Sequence, residues 1–263
     1  MNTSQEGQND DRHHPRWQLA DKLRDDIERG KLAPGEKLPS GRELSRQYQI
    51  ARNTADQAIK ILQNEGLVDI RHGSGTYVRT QRPLVRLGSN RYSQRLRDET
   101  GLSPFLLEAQ RQGWDAHVEG RGVTRVRPPQ DVAERLGVPQ GKRSVIQREN
   151  WYFADGKPVQ VGLTYIPWDI ARDTRLTRSG EPVPTGIYAY LETLGYAMSR
   201  IREEISARAP RSTEVVELDV PPGVPIIEVL HTSLTADGQP FDVTRFILRA
   251  DVMGLDYTMP IED

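Results

Sequence analysis

Four polar side chains in one short stretch could read the edges of DNA base pairs. They are Arg52, Asn53, Thr54 and Gln57. Arginine can donate two hydrogen bonds to guanine, and asparagine or glutamine can pair with adenine. The same stretch contains an apolar set at helical spacing, which is Ala55, Ala58, Ile59 and Leu62. If that set packs inward, the polar side chains point outward at the start of a helix, whose free amides also suit phosphate.

A glycine-rich turn further along the chain could bring the backbone close to the same DNA. It lies between residues 67–70 and 76–78, two runs that predict short strands. Glycine lets the backbone approach a phosphate or enter the minor groove. We therefore expect DNA contacts from the tip residues, which are His72, Gly73 and Gly75.

Three predicted helices must position these side chains. The first has an apolar face that starts at Leu19, and it ends at Gly30. The second begins at Ser40, which is spaced to form a capping box with Glu43. The third begins at Arg52 after a tight turn. Three short helices followed by a hairpin predict a winged helix-turn-helix.

The charge of the chain is balanced overall but not along its length. The 263 residues carry 36 Lys+Arg against 37 Asp+Glu, a formal net charge of -1. Residues 12–82 have about five more basic than acidic side chains, and residues 83–263 have about three more acidic than basic ones. The basic surplus coincides with the part that is expected to meet phosphates.

The composition excludes several classes of protein. The chain has no cysteine, which excludes a disulfide scaffold, a zinc ribbon and a thiol nucleophile. No apolar run reaches the ~18 residues that a membrane helix needs, so we expect no membrane partner. Residues 1–14 are polar and acidic, which predicts a disordered tail rather than a signal peptide, and the expected location is the cytoplasm.

No pattern of catalytic or metal-binding residues stands out. The histidines lack the spacing of a metal-binding helix, and they are His13, His14, His72, His117 and His231. Neither a G-x-S-x-G elbow nor a Walker loop occurs. We therefore predict no enzyme activity, no metal and no cofactor.

Residues 17–78 resemble the DNA-binding domain of the GntR family of bacterial transcription regulators. The motifs that carry the resemblance are L-P-S-x-R-E-L, R-x-T, E-G-L-V and G-x-G-T-Y-V, in the order and spacing of the family. The resemblance implies DNA contacts from Arg42, from the start of the third helix and from the tip of the wing. The full predicted set is Ser40, Arg42, Arg52, Asn53, Thr54, Gln57, His72, Gly73 and Gly75.

Two residues depart from the family pattern. Ala51 stands where the family usually has Ser or Thr, so a helix cap and a phosphate contact are lost. Asp56 stands where a basic residue is common, and a carboxylate there would repel phosphate or accept a hydrogen bond from cytosine. Both departures bear on which operator is recognised, not on whether DNA is bound.

The rest of the chain predicts an α+β domain with an antiparallel sheet. We place the winged helix at 15–79, a polar linker at 80–90 and the second domain at 91–263. Helices are expected near 104–112, 130–138, 185–194 and 212–218, and strands at 118–126, 144–153, 158–166, 201–209, 226–234 and 241–248. The motif A-D-G-x-P occurs at 154–158 and again at 236–240, which predicts two related hairpins in one sheet.

Polar residues alternate along the predicted strands of both hairpins. The alternation has two interpretations: the solvated face of a half-buried sheet, or a pocket for a small effector. On these strands, the residues that such a pocket would use are Arg148, Asn150, Tyr152, Gln160, Thr164, Asp242 and Thr244. Arg91, at the start of the second domain, is implied as a further pocket residue by the resemblance of that domain to a known domain family.

Residues 91–263 are similar to the UTRA effector-binding domain, which defines the HutC subfamily and has a chorismate-lyase-like fold. The carriers include Arg91-Tyr92, Arg148 before A-D-G-x-P-V, Tyr165-Ile166-Pro167 and Arg208-Ala209-Pro210. The family often has R-x-R on the strand before the turn, and this chain has Asn150 in the second place. Several relatives have an acid at the position of Gly162. Both departures argue against transferring a phosphosugar ligand, because two arginines hold an anion better than one.

These observations predict a repressor that a small-molecule effector releases from DNA. A homodimer would place two recognition helices in successive major grooves, about 34 Å apart, on a palindromic operator of double-stranded DNA. One alternative is a constitutive repressor whose C-terminal domain only dimerises. Another is an enzyme with a DNA-binding appendage, although a shared fold does not carry a function.

Overall fold

The structure, a computed structural model, describes residues 14–71, 73–80, 84–87, 89–179 and 186–259. They form two compact units. The first contains the described residues up to 80 together with Pro221–Val224, and the second contains the others. Residues 1–13 of the predicted tail and His72 of the predicted wing tip lie outside the described ranges.

The first unit is a helix-turn-helix followed by a β-hairpin. Its helices are α1 (Pro15–Glu28), α2 (Gly41–Tyr48) and α3 (Arg52–Asn64), and its antiparallel strands are β1 (Val68–Arg71) and β2 (Gly75–Val78). The apolar faces predicted from helical spacing form one buried core, which contains Leu19, Ala20, Leu23, Leu38, Leu44, Ala55, Ala58, Ile59, Leu62, Val68 and Val78. The predicted winged helix-turn-helix is confirmed.

Local chemistry sets the ends of these helices. Ser40 caps α2 in the predicted box: its hydroxyl accepts from the Glu43 amide at 3.3 Å, and its own amide donates to the Glu43 carboxylate at 2.7 Å. Gln49 ends α2 in the left-handed conformation, with φ of 53°. Ala51 is the N-cap residue of α3 and forms no side-chain cap. The first amides of α3 therefore lack the hydrogen bond that a serine or threonine hydroxyl would accept there.

The second unit is built on an antiparallel sheet with the strand order β4-β5-β6-β9-β8-β7. The strands are β4 (Ala116–Val126), β5 (Val145–Ala154), β6 (Lys157–Pro167), β7 (Arg200–Arg208), β8 (Ile226–Leu234) and β9 (Pro240–Arg249). The helices and short helical turns between them are α4 (Gln94–Thr100), α5 (Pro104–Arg111), α6 (Gln130–Leu136), α7 (Trp168–Ala171), α8 (Ile187–Thr193) and α9 (Ser212–Glu217). Each element predicted from the sequence is present, with ends that agree within two residues.

The sheet is an internal duplication. One half runs β4, α6, β5, β6 and the other runs β7, α9, β8, β9, with β6 and β9 paired at the centre. Each half turns at an A-D-G sequence between its last two strands. Gly137 and Asp219, which follow α6 and α9, both have positive φ, 64° and 49°. The predicted pair of related hairpins in one sheet is confirmed.

Both faces of the central sheet are covered by helices. On one face, α6 packs Val132 and Leu136 against Tyr165 and Val243. On the other face, α5 contributes Phe105 and Ala109 to a core that includes Phe246. The polar residues predicted to line a pocket lie on this second face.

The linker prediction does not hold for residues 84–87. They form β3 (Leu84–Leu87), which pairs in parallel with β10 (Met253–Asp256) near the end of the chain. Leu84 and Arg86 are fully buried there. A strand of four residues is too short to show an alternation, and its partner is distant in sequence, so composition alone indicates a linker.

Candidate functional site

The start of α3 presents the predicted polar side chains to solvent. Arg52, Asn53 and Gln57 are exposed and Thr54 is half-buried, because Ala55, Ala58, Ile59 and Leu62 hold the opposite side of the helix in the core. The first amides of α3 have no intrahelical acceptor and point out of the same end. Ser40 and Arg42 are exposed at the start of α2.

Asp56 modifies this surface. Its carboxylate lies 3.7 Å from Nε of Arg52, one helical turn away, and both side chains are largely exposed. The pair holds the arginine predicted to contact a base beside a fixed negative charge. The acidic residue that departs from the family pattern therefore lies next to Arg52.

Two cations that sequence reasoning did not single out lie beside Tyr77 of the hairpin: Arg71 on β1, and Lys37 in the segment before α2. The guanidinium of Arg71 lies 4.4 Å from the centre of the Tyr77 ring, and Nζ of Lys37 lies 5.9 Å from it. Gly75 has a positive φ of 127°, and a side chain there would overlap Lys37. Gly73 also has a positive φ. The sequence signal for this cluster was the presence of a basic residue, Arg71, and an aromatic residue, Tyr77, on the two strands of one hairpin.

The second unit contains a cavity of about 440 Å³ over the sheet. Its lining includes most of the predicted effector residues, namely Arg91, Arg148, Asn150, Tyr152, Gln160, Thr164 and Thr244. Asp242 is fully buried on the same strand as Thr244 but is not part of the lining. Since Arg148, Gln160, Thr164 and Thr244 are buried, the interpretation of the alternation as a solvated face is wrong.

Arg148 faces the cavity without an ion-pair partner among the residues that the structure describes. Its Nη1 donates to the carbonyl oxygen of Leu176 at 2.6 Å and lies 3.5 Å from that of Arg178. No carboxylate in the described ranges lies within salt-bridge distance. Burial lowers the pKa of Arg148, which reflects the cost of keeping a cation there.

Arg91 and Glu108 form a buried ion pair at the edge of the cavity. Their atoms Nη2 and Oε2 are 3.2 Å apart, and each side chain is about 5% exposed or less. Nε and Nη1 of Arg91 have no hydrogen-bond partner among the residues described. The pair is therefore neutral overall but retains two free donors.

The side-chain amide of Gln160 is buried without hydrogen bonds to the described residues. The residue is 1% exposed, yet neither amide atom forms a hydrogen bond with any part of the protein that the structure describes. The same is true, within those residues, of the buried hydroxyl of Ser103. Buried polar atoms in native proteins are nearly always hydrogen-bonded, so these groups are suited to a ligand.

A chain of hydroxyls continues from the cavity along the sheet. Oγ1 of Thr164 and Oγ1 of Thr244 are 2.9 Å apart, and the Thr244 hydroxyl lies 3.2 Å from Oδ2 of Asp242. Burial raises the pKa of Asp242. Asp242 therefore supports the cavity from behind rather than facing its contents.

Aromatic side chains form much of the cavity wall. The predicted set included Tyr152 but not Tyr92, Phe105, Tyr188 or Phe246. Phe105 packs edge-on against Tyr152 at 5.0 Å, and Phe246 follows at 6.4 Å from Tyr152. Tyr92 lies 5.5 Å from Tyr188. The motif Arg91-Tyr92 marked one of them, but nothing in the local sequence indicated that they would meet.

Behind Tyr92 lies a buried charged cluster. Arg86 of β3 pairs with Glu203 of β7, which also accepts hydrogen bonds from Tyr257 and, at 2.9 Å, from Nδ1 of His231. Burial by itself would raise the pKa of Glu203, but His231, Arg86 and Tyr257 outweigh it and lower that pKa to about 2. The Tyr92 ring stacks on His231 at 5.0 Å, which connects the cavity wall to this cluster.

No helix among the described residues is long and apolar enough to span a membrane. No group of three His, Cys, Asp or Glu side chains in those ranges could hold a metal ion.

Comparisons with known proteins match both units. Residues 15–78 match the model of the bacterial regulatory proteins of the gntR family, and residues 111–253 match the UTRA domain. An uncharacterized HTH-type transcriptional regulator of Streptomyces coelicolor is 31% identical over 85% of both chains. The HTH-type transcriptional repressor NagR of Bacillus subtilis is 25% identical over 89% of this chain and 90% of its own.

Solved structures show the same fold. The crystal structure of a GntR-family transcriptional regulator superposes with a TM-score of 0.67 at 23% identity and covers 95% of this chain and 99% of its own. PhnF from Mycobacterium smegmatis gives 0.57, also at 23% identity, over 94% and 99% of the two chains.

Proposed function

The chain belongs to the gntR family of bacterial regulatory proteins and carries a UTRA domain, and from that premise we propose a repressor that a small-molecule effector releases from its operator. DNA-binding transcription regulation is common to its relatives: NagR and MngR, the mannosyl-D-glycerate transport/metabolism system repressor of Escherichia coli, are both repressors. A repressor of this kind would act in the cytoplasm, where bacterial operators are.

In this proposal the exposed start of α3 reads bases. Arg52, Asn53 and Gln57 would contact base edges in the major groove, while Ser40, Arg42 and Thr54 would contact the backbone. The wing would add His72, Gly73 and Gly75 in or near the minor groove. A homodimer would present two such surfaces about 34 Å apart to a palindromic site.

The effector would occupy the cavity of the second unit. The single observation that carries this step is the amide of Gln160, which is buried and unpaired among the described residues. A domain that only dimerises has no use for an orphaned polar group in its interior, because such a group costs stability. The unpaired amide therefore favours a sensor over the constitutive dimeriser, and the regulatory relatives favour a sensor over an enzyme with a DNA-binding appendage.

Operator binding and its release test the proposal. An operator is selected from random DNA, and affinity is measured at fixed salt, since salt dominates such measurements. Arg52→Ala should weaken binding by about ten- to a hundredfold, whereas a substitution of Arg29 by Ala, at the exposed residue directly after α1, should have little effect. Arg148→Ala should bind the operator as the wild type does but resist release by effector.

Two results would contradict the proposal. Unchanged operator affinity in Arg52→Ala would remove α3 from the DNA interface. If no compound in a thermal-shift screen of small anions and sugars stabilised the protein, the dimeriser would replace the sensor.

A further inference from the structure

We infer that the cavity takes a compact organic monoanion, a carboxylic acid whose uncharged part carries hydroxyl or amide groups, and that it discriminates against phosphate monoesters. This inference rests on the proposed effector role of the cavity. It concerns the charge and the hydrogen-bonding pattern of the ligand.

The charges around the cavity allow one anionic group. The charge of Arg91 is already matched by Glu108, with both side chains buried. Arg148 is the cation that no described carboxylate compensates. A dianion would bring a second charge with no partner, which is costly in a desolvated site.

Asn150 reinforces this count. It lies two residues after Arg148 on β5 and lines the cavity as a neutral group. A single guanidinium can bind a carboxylate, whereas a phosphate monoester is held best by several cations. A carboxylate against Arg148 therefore satisfies the site, and a phosphate would not be neutralised.

The uncharged part of the ligand must both donate and accept hydrogen bonds. The amide of Gln160 offers an unpaired nitrogen and an unpaired oxygen, and Oγ of Ser103 is likewise unpaired within the described chain. Nε and Nη1 of Arg91 add two donors without adding net charge. Vicinal hydroxyls or an amide would match this set, and a plain hydrocarbon tail would leave it unsatisfied.

The rings of Tyr152 and Phe246, which form the floor of the cavity over Gly162, limit the size and shape of the ligand. A Cβ on Gly162 would lie 3.2 Å from the Tyr152 ring and 3.3 Å from the Phe246 ring, so the two aromatic rings leave no room for a side chain at this position. A volume of about 440 Å³ is near the lower end of the roughly 300–1,000 Å³ of small-molecule pockets. The cavity therefore suits a ligand of about one ring, stacked on this floor.

The test uses matched compounds that differ in charge on a shared scaffold. The full-length protein is melted with glucose, glucuronate and glucose 6-phosphate, with glycerol, glycerate and glycerol 3-phosphate, and with benzyl alcohol, 4-hydroxybenzoate and phenyl phosphate. We expect the carboxylate to be the best stabiliser in at least one set and to bind at least about tenfold more tightly than its neutral and phosphate counterparts. The inference is overturned if a phosphate ester or a neutral compound is the best in every set that binds, or if no carboxylate binds.

A variant separates ligand binding from structure. Gln160→Leu removes a buried unpaired amide, so the free protein should melt at the same or a higher temperature than the wild type. Its affinity for the carboxylate that binds should nevertheless fall at least about tenfold. Gln147→Leu, a half-buried glutamine on β5 outside the cavity lining, is the matched control. A lower melting temperature in Gln160→Leu with unchanged affinity would show that the amide is structural and would overturn the assignment.

Operator release distinguishes this inference from the proposed function. If a phosphate ester both binds and releases the operator, the proposed function stands and the ligand class is wrong. If a carboxylate binds in the cavity and the operator is not released, the ligand class stands and the proposed function fails.

Discussion

The carboxylate of Asp56 on α3 occupies the space that a side chain on Gly41 of α2 would fill. A Cβ placed on Gly41 would lie 1.8 Å from Oδ1 of Asp56. The other carboxylate oxygen lies 3.7 Å from Nε of Arg52. The absence of a side chain at position 41 thus lets Asp56 sit between the two helices and next to the arginine that we propose reads a base.

Gly41→Ala is expected to change operator preference more than stability. The end of the Asp56 side chain can rotate away from the new methyl group, so the free energy of unfolding should change by less than about 1 kcal/mol. The rotation would release Arg52 from its neighbour. Selection from random DNA should then give the same altered preference for Gly41→Ala as for Asp56→Ala. Preferences identical to the wild type in both variants would show that Asp56 does not position Arg52.

Ser40→Ala should destabilise the first unit by about 1 kcal/mol. The substitution removes the hydroxyl that accepts from the Glu43 amide and leaves that amide without its cap. Urea unfolding followed by helical circular dichroism measures the loss. Ser212→Ala, at the exposed first residue of α9, serves as a control and should be close to neutral. Equal effects of the two variants would mean that the capping box contributes nothing.

Glu203→Gln should destabilise the second unit by about 3–5 kcal/mol. The substitution leaves the fully buried guanidinium of Arg86 without its carboxylate, and a buried unpaired charge is expensive. Glu119→Gln, on β4, is the control. Its side chain is 50% exposed and its partner Arg121 is 45% exposed, so this ion pair should contribute only about 0–1 kcal/mol. Thermal unfolding of the two variants should differ clearly, and a similar loss in both would argue against the buried cluster.

The same carboxylate should make the second unit sensitive to acid. The pKa of Glu203 is lowered from 4.5 to about 2 in the folded protein, so the folded state binds this proton less readily than the unfolded state. Its contribution to stability is therefore present above pH 4.5 and is lost as the pH falls toward about 2. Melting temperatures across this window should fall more steeply for the wild type than for Glu203→Gln. Parallel curves would show that another group controls acid unfolding.

Gly162→Ala should narrow the cavity and cost about 1–3 kcal/mol of stability. The added methyl group would press against the rings of Tyr152 and Phe246, and overpacking of this kind exceeds the usual gain of replacing glycine in a strand. Gly122→Ala is the matched control, because a Cβ there meets nothing within 4 Å among the described atoms. A Gly162→Ala protein as stable as Gly122→Ala would mean that the aromatic floor is free to move.

Features that depend on neighbours along the chain could be predicted from the order of the residues alone. The apolar spacing of α3 placed Arg52, Asn53 and Gln57 on its outer face, and the three-residue spacing of Ser40 and Glu43 produced the capping box. The repeated A-D-G turns revealed the two hairpins. These features involve residues that are close together in the sequence, so the local order of residues is sufficient to predict them.

Which polar residues are buried, and what they face, depends on contacts between segments that are distant in sequence. A period of two is the same for a solvated face and for one covered by α5 and Arg91, and the cavity exists because distant segments close over Gln160. Strand β3 could not be predicted from the sequence, because its partner β10 lies near the other end of the unit in sequence. Arg86 and Glu203 likewise meet from strands far apart in sequence. Packing between remote segments, and the desolvation that it imposes, turned an ordinary polar alternation into a candidate binding site.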